Sequence, residues 1–250
     1  MRSGESREKA VEKRVYAAVE DLSLLKEKLL SLLSEKGAKL IGIADLTGIV
    51  GGAMQTGISV AVPVPQKIVR DLETAPTREY YNAYFSLNEK LDAIVSAGAA
   101  FLKEKGYQAL ANTTKVVQTD ADWCTPLPHK TVATRAGLGW IGKNCLLVTR
   151  EYGSAVRLSS LLTDAPLPAN PPITESHCGG CRVCVKSCPA KALTGVLWNS
   201  STTREELFHK EDCKKMQMQR MKQSTGIETD LCGLCFAVCP YTQKYLQNEL

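Results

Sequence analysis

No window of the sequence approaches the roughly 18 uninterrupted apolar residues that a membrane-spanning helix needs. The first residues, Met1 to Arg14, are charged, and no apolar stretch of a signal peptide follows them. These absences argue against a membrane span and a secretory route, and the expected compartment is the cytoplasm. The charge is also not of one sign: the formal net charge is +5, and Lys and Arg are scattered among Asp and Glu rather than gathered into a block. A nucleic-acid partner is therefore permitted but not indicated. No tandem repeat is visible. What the chain does have is cysteine, ten in all. In a reducing compartment grouped thiols point to metal more often than to disulfide.

The apolar periodicity outlines two halves. Glu5 to Lys36 reads as a helix, with Leu22, Leu25, Leu29, Leu32 and Leu33 at spacings of three and four and Gly37 as its cap. Leu40 to Ala44 and Ile58 to Val64, rich in Ile and Val and bounded by Gly or Pro, read as buried strands. Arg78 to Lys105 reads as a second long helix carrying Tyr84, Leu87, Leu91, Ile94, Val95 and Leu102 on one face. From Val116 to Thr163 short strands such as Cys145 to Thr149 alternate with a Gly-punctuated turn. Pro166, Pro168, Pro171 and Pro172 then make Ala165 to Ile173 a stiff, extended connection. The expected boundary lies there, dividing the chain into residues 1–170 and 171–250. Only Cys124 and Cys145 precede it, each expected to be a small buried hydrophobe.

The second half opens with Cys178, Cys181, Cys184, Cys188 and Pro189, a CxxCxxCxxxCP run. A 4Fe-4S cube needs four thiolates converging on a small volume. Cysteine at every third position lets one loop reach three irons, while the fourth cysteine, at a helix start, serves the other cluster of a two-cluster ferredoxin. Pro189 suits a first helical turn. Cys232, Cys235, Cys239 and Pro240 repeat the CxxCxxxCP portion, but Thr229 stands where the leading cysteine belongs. Cys213 is the substitute, with Lys214 to Asp230 expected as a loop between ligands. Crossed ligation then assigns Cys178, Cys181, Cys184 and Cys239 to one cluster, and Cys188, Cys213, Cys232 and Cys235 to the other. CxxC pairs also hold structural zinc, but zinc has no use for a CP step repeated in both halves. Two such clusters would relay single electrons, and the larger N-terminal half is then expected to receive them.

Arg135 to Asn144 reads RAGLGWIGKN, followed by Leu146, Leu147 and Gly153, then by Leu161, Leu162, Thr163, Asp164 and the proline connection. On these residues, and on the cysteine spacing including Cys213, the chain resembles the epoxyqueuosine reductase family, the cobalamin-dependent iron–sulfur enzymes that complete the tRNA base queuosine. More distantly it is similar to the reductive dehalogenases. The resemblance runs from the Gly37 to Asp45 segment to Tyr241. It implies an α+β fold, in which an N-terminal α/β cobalamin-binding-type (nitroreductase-like) domain precedes a two-cluster bacterial-ferredoxin-like domain. It implies an oxidoreductase with two 4Fe-4S clusters and cobalamin, supplied by a low-potential donor such as a ferredoxin or flavodoxin and acting on a small-molecule or corrinoid substrate. Arg135, Gly137, Leu138, Gly139, Trp140, Gly142, Lys143 and Asn144 become the expected cobalamin contacts, the glycines letting backbone approach a planar cofactor.

Two departures mark the chain off from that family. Its acid, the proton donor ahead of a Ser/Thr-x-Pro step, is replaced by Trp123 before Cys124, Thr125 and Pro126. Asp122, Asp120 and Tyr81 are the candidate donors in its stead. The resemblance also implies a helical repeat region beyond Tyr241 that helps the family hold tRNA, and the sequence, which runs to Leu250, does not include it. His129, His177 and His209 sit in no DxHxxG context, so a histidine ligand to cobalt is not expected. The competing function is an electron-transfer or corrinoid-reducing partner with no substrate of its own.

Overall fold

The computed structural model describes residues 21–247. A helix over 21–35 (α1) is followed by strands β1 (Leu40–Asp45) and β2 (Thr56–Pro63), helices α2 (Gln66–Asp71) and α3 (Arg78–Glu104), strand β3 (Ala109–Asn112), helix α4 (His129–Arg135), the short strands β4 (Trp140–Ile141) and β5 (Leu147–Val148), and strand β6 (Val156–Thr163). Past the proline segment come helices α5 (Val183–Ser187), α6 (Arg204–Leu207), α7 (Lys210–Thr225), α8 (Leu234–Ala237) and α9 (Pro240–Gln247). The part of the expected first helix before residue 21 lies outside the described residues. Among those residues no helix is long and apolar enough to cross a membrane.

The main sheet has the order β1-β2-β6-β3, and every pairing in it is antiparallel. β2, TGISVAVP, lies second in that order and is buried along nearly its whole length. Its alternate residues serve two faces. Ile58, Val60 and Val62 join Leu25, Leu29 and Leu33 of α1 and Leu91, Ile94, Val95 and Leu102 of α3 in one core. On the other face, Gly57 leaves no room for a side chain, because a Cβ there would meet Leu46 and Val132 of the layer formed with α4. Burial on both faces explains why Ile58 to Val64 is apolar apart from Ser59. α3 ends at Glu104 and is capped at its start by Thr77, whose side chain accepts a hydrogen bond from Tyr80 N.

Residues 165–173 run docked along this layer. Ile43 and Asn170 exchange hydrogen bonds, Ile43 N to Asn170 Oδ1 and Asn170 N to Ile43 O, both 2.8 Å. Ala165 and Leu167 are buried in the first core. A further core joins both halves of the chain: Val64, Val69, Leu72, Tyr80 and Ala155 pack with Met221, Leu231, Phe236, Ala237, Tyr245 and Leu246.

Two expectations are corrected. Cys188, expected at a helix start with Pro189 in the first turn, lies instead at the C-cap of α5, and Pro189 falls in a turn. Residues 214–225, read from sequence as part of a loop, are helical and continue α7 from Lys210. Lys, Gln, Met and Arg are strong helix formers. Glu211 and Asp212 occupy the favourable first turn, and Gly226, at φ 75°, closes the helix in the left-handed conformation. The helix is almost wholly polar, with Met221 its one buried residue, so it offers no apolar stripe to recognise.

Candidate iron–sulfur and cofactor site

Local structure places each cysteine. Cys184 lies in α5 and Cys188 at its C-cap, where the backbone turns extended at φ −67°, ψ 114°. Gly233, left-handed at φ 81°, turns the chain between Cys232 and Cys235, which lies in α8. Cys239 immediately precedes α9, whose first residue is Pro240. Cys213 sits near the start of α7. All ten thiols are free of disulfides. Contact between α5 and α8 brings the two CxxC segments together.

The cysteines then fall into two groups. Cys178, Cys181, Cys184 and Cys239 line a cavity of about 60 Å³ together with Lys143, Asn144, Val148, Pro240 and Tyr241. Cys188, Cys213, Cys232 and Cys235 all line a separate, far larger cavity of about 810 Å³. Burial pushes the Cys184 thiol up to about 11, and Cys239, Cys178 and Cys181 add to the rise. Burial likewise raises the Cys235 thiol, helped by Cys232, Cys213, Cys184 and Cys188. Thiols crowded in this way resist joint ionisation unless a cationic core compensates them. Among the described residues no three His, Cys, Asp or Glu side chains close tightly enough to grip a single metal ion. A 4Fe-4S cube takes one thiolate per iron corner, four in all, which is the number of cysteines in each group. Trp140 also fits a cluster beside it. It is 1% exposed, packs with Cys239 and Cys178, stacks on His177 at 4.7 Å, and its Nε1–H has no hydrogen-bond partner among the described residues. Cluster and cysteine sulfurs are acceptors of the kind it lacks.

The expected turn contacts divide differently. Gly137, Gly139 and Gly142 do not line the large cavity. They permit close backbone packing instead. A Cβ on Gly139 would collide with the Val148 carbonyl in the β4–β5 hairpin, one on Gly142 would meet Val148 Cγ2 at 2.6 Å, and one on Gly137, at φ 72°, would meet Pro171 O at 2.7 Å. Leu138 packs between the two layers around α4, and Lys143 belongs to the small cavity. Arg135 and Asn144 do line the large cavity, and Asn144 lines both, its Nδ2 donating to Ser154 Oγ at 2.9 Å.

Of the candidate proton donors none lines the cavity; their neighbours do. Asp122 is 77% exposed, and its carboxylate accepts a hydrogen bond from Lys210 Nζ at 2.7 Å, which holds its carboxyl below the usual range. Asp120 Oδ1 accepts from the backbone N–H groups of Asp122 and Cys124, both at 2.9 Å. That turn presents Trp123, Cys124 and Thr125 to the cavity, with Trp123 at φ 55° and Lys214 Nζ 3.7 Å from its ring. Tyr81 packs against Phe85, whereas Tyr80 and Tyr84, one helical turn apart, line the cavity. Arg157 lies 4.0 Å over the Tyr84 ring and donates from Nε and Nη2 to Asn88 Oδ1 at 3.2 and 2.9 Å. Burial raises the Tyr80 hydroxyl far above its ordinary value. Lys130 Nζ donates to Cys145 O at 3.0 Å and stands 3.4 Å from its thiol, so Cys145, buried as expected, is also a wall residue of the cavity. Sequence reading missed Tyr80, Arg157 and Lys130. The i, i+4 spacing of Tyr80 and Tyr84 was available, but it marks a helix face without saying what that face meets.

Residues 177–242 match the family model described as a 4Fe-4S double cluster binding domain. Among curated proteins, the chain is 46% identical over 118 residues to the epoxyqueuosine reductase of Pseudomonas aeruginosa, covering 47% of this chain and 32% of that one. It is 30% identical over 192 residues to that of Lactococcus garvieae, covering 76% of this chain and 52% of that one. The chain thus spans about a third to a half of the length of these relatives. Among solved structures, an epoxyqueuosine reductase matches with a TM-score of 0.60 at 22% identity, over 89% of this chain and 66% of that one. The catabolic reductive dehalogenase NpRdhA matches with a TM-score of 0.67 at 18% identity, over 86% of this chain and 31% of that one. At those identities the structural likeness concerns fold. The chain therefore carries an iron–sulfur segment of the double 4Fe-4S cluster type and is similar to the epoxyqueuosine reductases in sequence, and to them and the reductive dehalogenases in fold.

Proposed function

We propose that this chain is a cytoplasmic iron–sulfur, cobalamin-dependent reductase resembling epoxyqueuosine reductase. Cys178, Cys181, Cys184 and Cys239 hold one 4Fe-4S cluster, and Cys188, Cys213, Cys232 and Cys235 hold the second. The observation that carries the reading is that this second set forms part of the wall of the 810 Å³ cavity, so a cluster there would adjoin whatever the cavity binds. The cavity is of cofactor size. The groups available to seat a corrinoid include Ile141 and Leu146 on the apolar side and Arg135, Thr131 and Asn144 on the polar side.

When bound, the clusters supply one-electron relay and the corrinoid a low-valent cobalt able to reduce a substrate. The chain's own part is to bury the thiolates, exclude water from the space between the cysteine wall and α3, and orient Tyr84 through Arg157 and Asn88. A soluble low-potential donor such as a ferredoxin or flavodoxin would feed the first cluster. A solved epoxyqueuosine reductase carries a tRNA-Tyr stem loop; for this chain a small-molecule or corrinoid substrate is the reading that the cavity favours.

The test is anaerobic metal analysis followed by titration with cobalamin. About eight irons per chain and a saturable change in the corrinoid absorption spectrum are expected. Zinc in place of iron would overturn the cluster assignment, and no spectral change would overturn the corrinoid. One observation favours the competing reading, a partner that hands electrons on without a substrate: neither expected donor lines the cavity, Asp122 being ion-paired to Lys210 at the surface and Asp120 tied into its own turn, and the carboxylate that does line it is Asp230, beside the Cys232 wall. Corrinoid reduction without turnover of any added substrate would select it.

A further inference from the structure

We infer that Lys143 is a charge-compensating residue of the first iron–sulfur site, where its buried ammonium raises the reduction potential of the cluster held by Cys178, Cys181, Cys184 and Cys239. This rests on the cluster assignment proposed above.

Lys143 is only 5% exposed. Its Nζ donates to Gly179 O at 2.7 Å, in the loop between Cys178 and Cys181, and to Cys181 O at 3.0 Å. It lines the small cavity ringed by those four cysteines. None of the ion pairs found among the described residues involves it. An ammonium has three donors, and the carbonyls use two. Taking an unpaired ammonium out of water is costly, and carbonyl dipoles offset that cost only in part. Four thiolates around an iron–sulfur core carry the opposite charge that this site otherwise lacks. One-electron reduction of the cluster by an external donor adds a further negative charge, with no bond made or broken and no proton moved. A fixed positive charge beside it stabilises the reduced state more than the oxidised one, which raises the potential. The two carbonyl contacts also tie the loop that carries Cys178 and Cys181 to the β4–β5 turn, so the charge and the ligand loop keep one geometry.

A purely mechanical clamp would hold the loop equally well without charge, and this separates the two roles. The experiment compares Lys143→Gln, which keeps donors for the carbonyls but removes the charge, with Lys143→Arg, which keeps the charge. Anaerobically reconstituted protein is assayed for iron and titrated with dithionite, with both clusters followed by electron paramagnetic resonance. Wild-type protein that takes up no iron would refute the cluster assignment itself, before the variants are read. With wild type loaded, Lys143→Gln should move one of the two midpoint potentials to a more negative value by at least a tenfold change in the reduction equilibrium, about 59 mV for one electron, while the other stays in place and Lys143→Arg remains near wild type. If Lys143→Gln loses about half the iron and Lys143→Arg retains it, the charge requirement is also upheld. Unchanged potentials in a fully loaded Lys143→Gln would overturn the inference. So would loss of the same cluster in both variants, which would make the role one of shape.

Discussion

Cys213 reaches the second cysteine group from within α7, far from its partners in sequence, and accepts a hydrogen bond from Gln217 Nε2 at 3.1 Å. Cys213→Ala is expected to remove about half the iron or leave a three-iron cluster, whereas Cys124→Ala should leave iron unchanged. Iron and sulfide analysis after anaerobic reconstitution decides it. Retention of both clusters by Cys213→Ala would mean that another residue supplies the ligand. A second residue-scale prediction concerns His129. Burial depresses its pKa to about 4, with the Arg157 charge lowering it further and Asp92 opposing; its Nδ1 lies 2.9 Å from Ser160 Oγ. The unfolded value is near 6.5. The folded state thus prefers the neutral ring, and this stabilisation is present above about pH 6.5 and is lost as pH falls toward 4. Between pH 7.5 and pH 5 it should amount to about 2 kcal/mol. Urea unfolding at both pH values should show a steeper loss for wild type than for His129→Gln, and equal losses would refute the assignment.

α7 shows how an element can be invisible to apolar periodicity and still position a candidate cluster cysteine, Cys213. Its polar faces carry Lys210, pairing with Asp122, and Lys214, lying over Trp123, while Met221 alone anchors it in the core shared by both halves. Met221→Ala should cost roughly 2–5 kcal/mol, the usual range for emptying a fully buried site, and should release the second cluster before the first because Cys213 rides on the same helix. A thermal melt followed at the cluster absorption, with iron counted in the surviving species, checks the order of loss. The glycine turn is the opposite case. It was legible as a motif, but its three glycines serve the β4–β5 hairpin and the proline segment, a use that motif reading cannot distinguish from approach to a cofactor.

For the whole molecule, the boundary expected at residue 170 falls between the sheet and the cysteine-rich segment, yet packing crosses it. Tyr245 Oη donates to Val64 O at 3.0 Å, Ser154 N donates to Thr242 Oγ1 at 3.0 Å, and α9 packs on α2. Residues 171–247 expressed alone are therefore expected to bind iron poorly and to recover their clusters when co-expressed with residues 1–170; iron content and circular dichroism of the two preparations test this. A fully loaded, folded segment would show that the shared core is dispensable. Local signals in the chain were enough for α1 and α3, from leucine periodicity, for β1 and β2, from Ile and Val runs between Gly and Pro, and for the spacing that separates eight cysteines from Cys124 and Cys145. What those elements meet is set by how they pack. That packing makes the sheet antiparallel, turns Lys143 toward the cysteine loop, leaves Asp120 and Asp122 outside the cavity, and brings Tyr80, Arg157 and Lys130 to its wall. Spacing along a chain encodes which residues share a face, whereas the partner of that face is selected by burial and hydrogen bonding between segments that are distant in sequence.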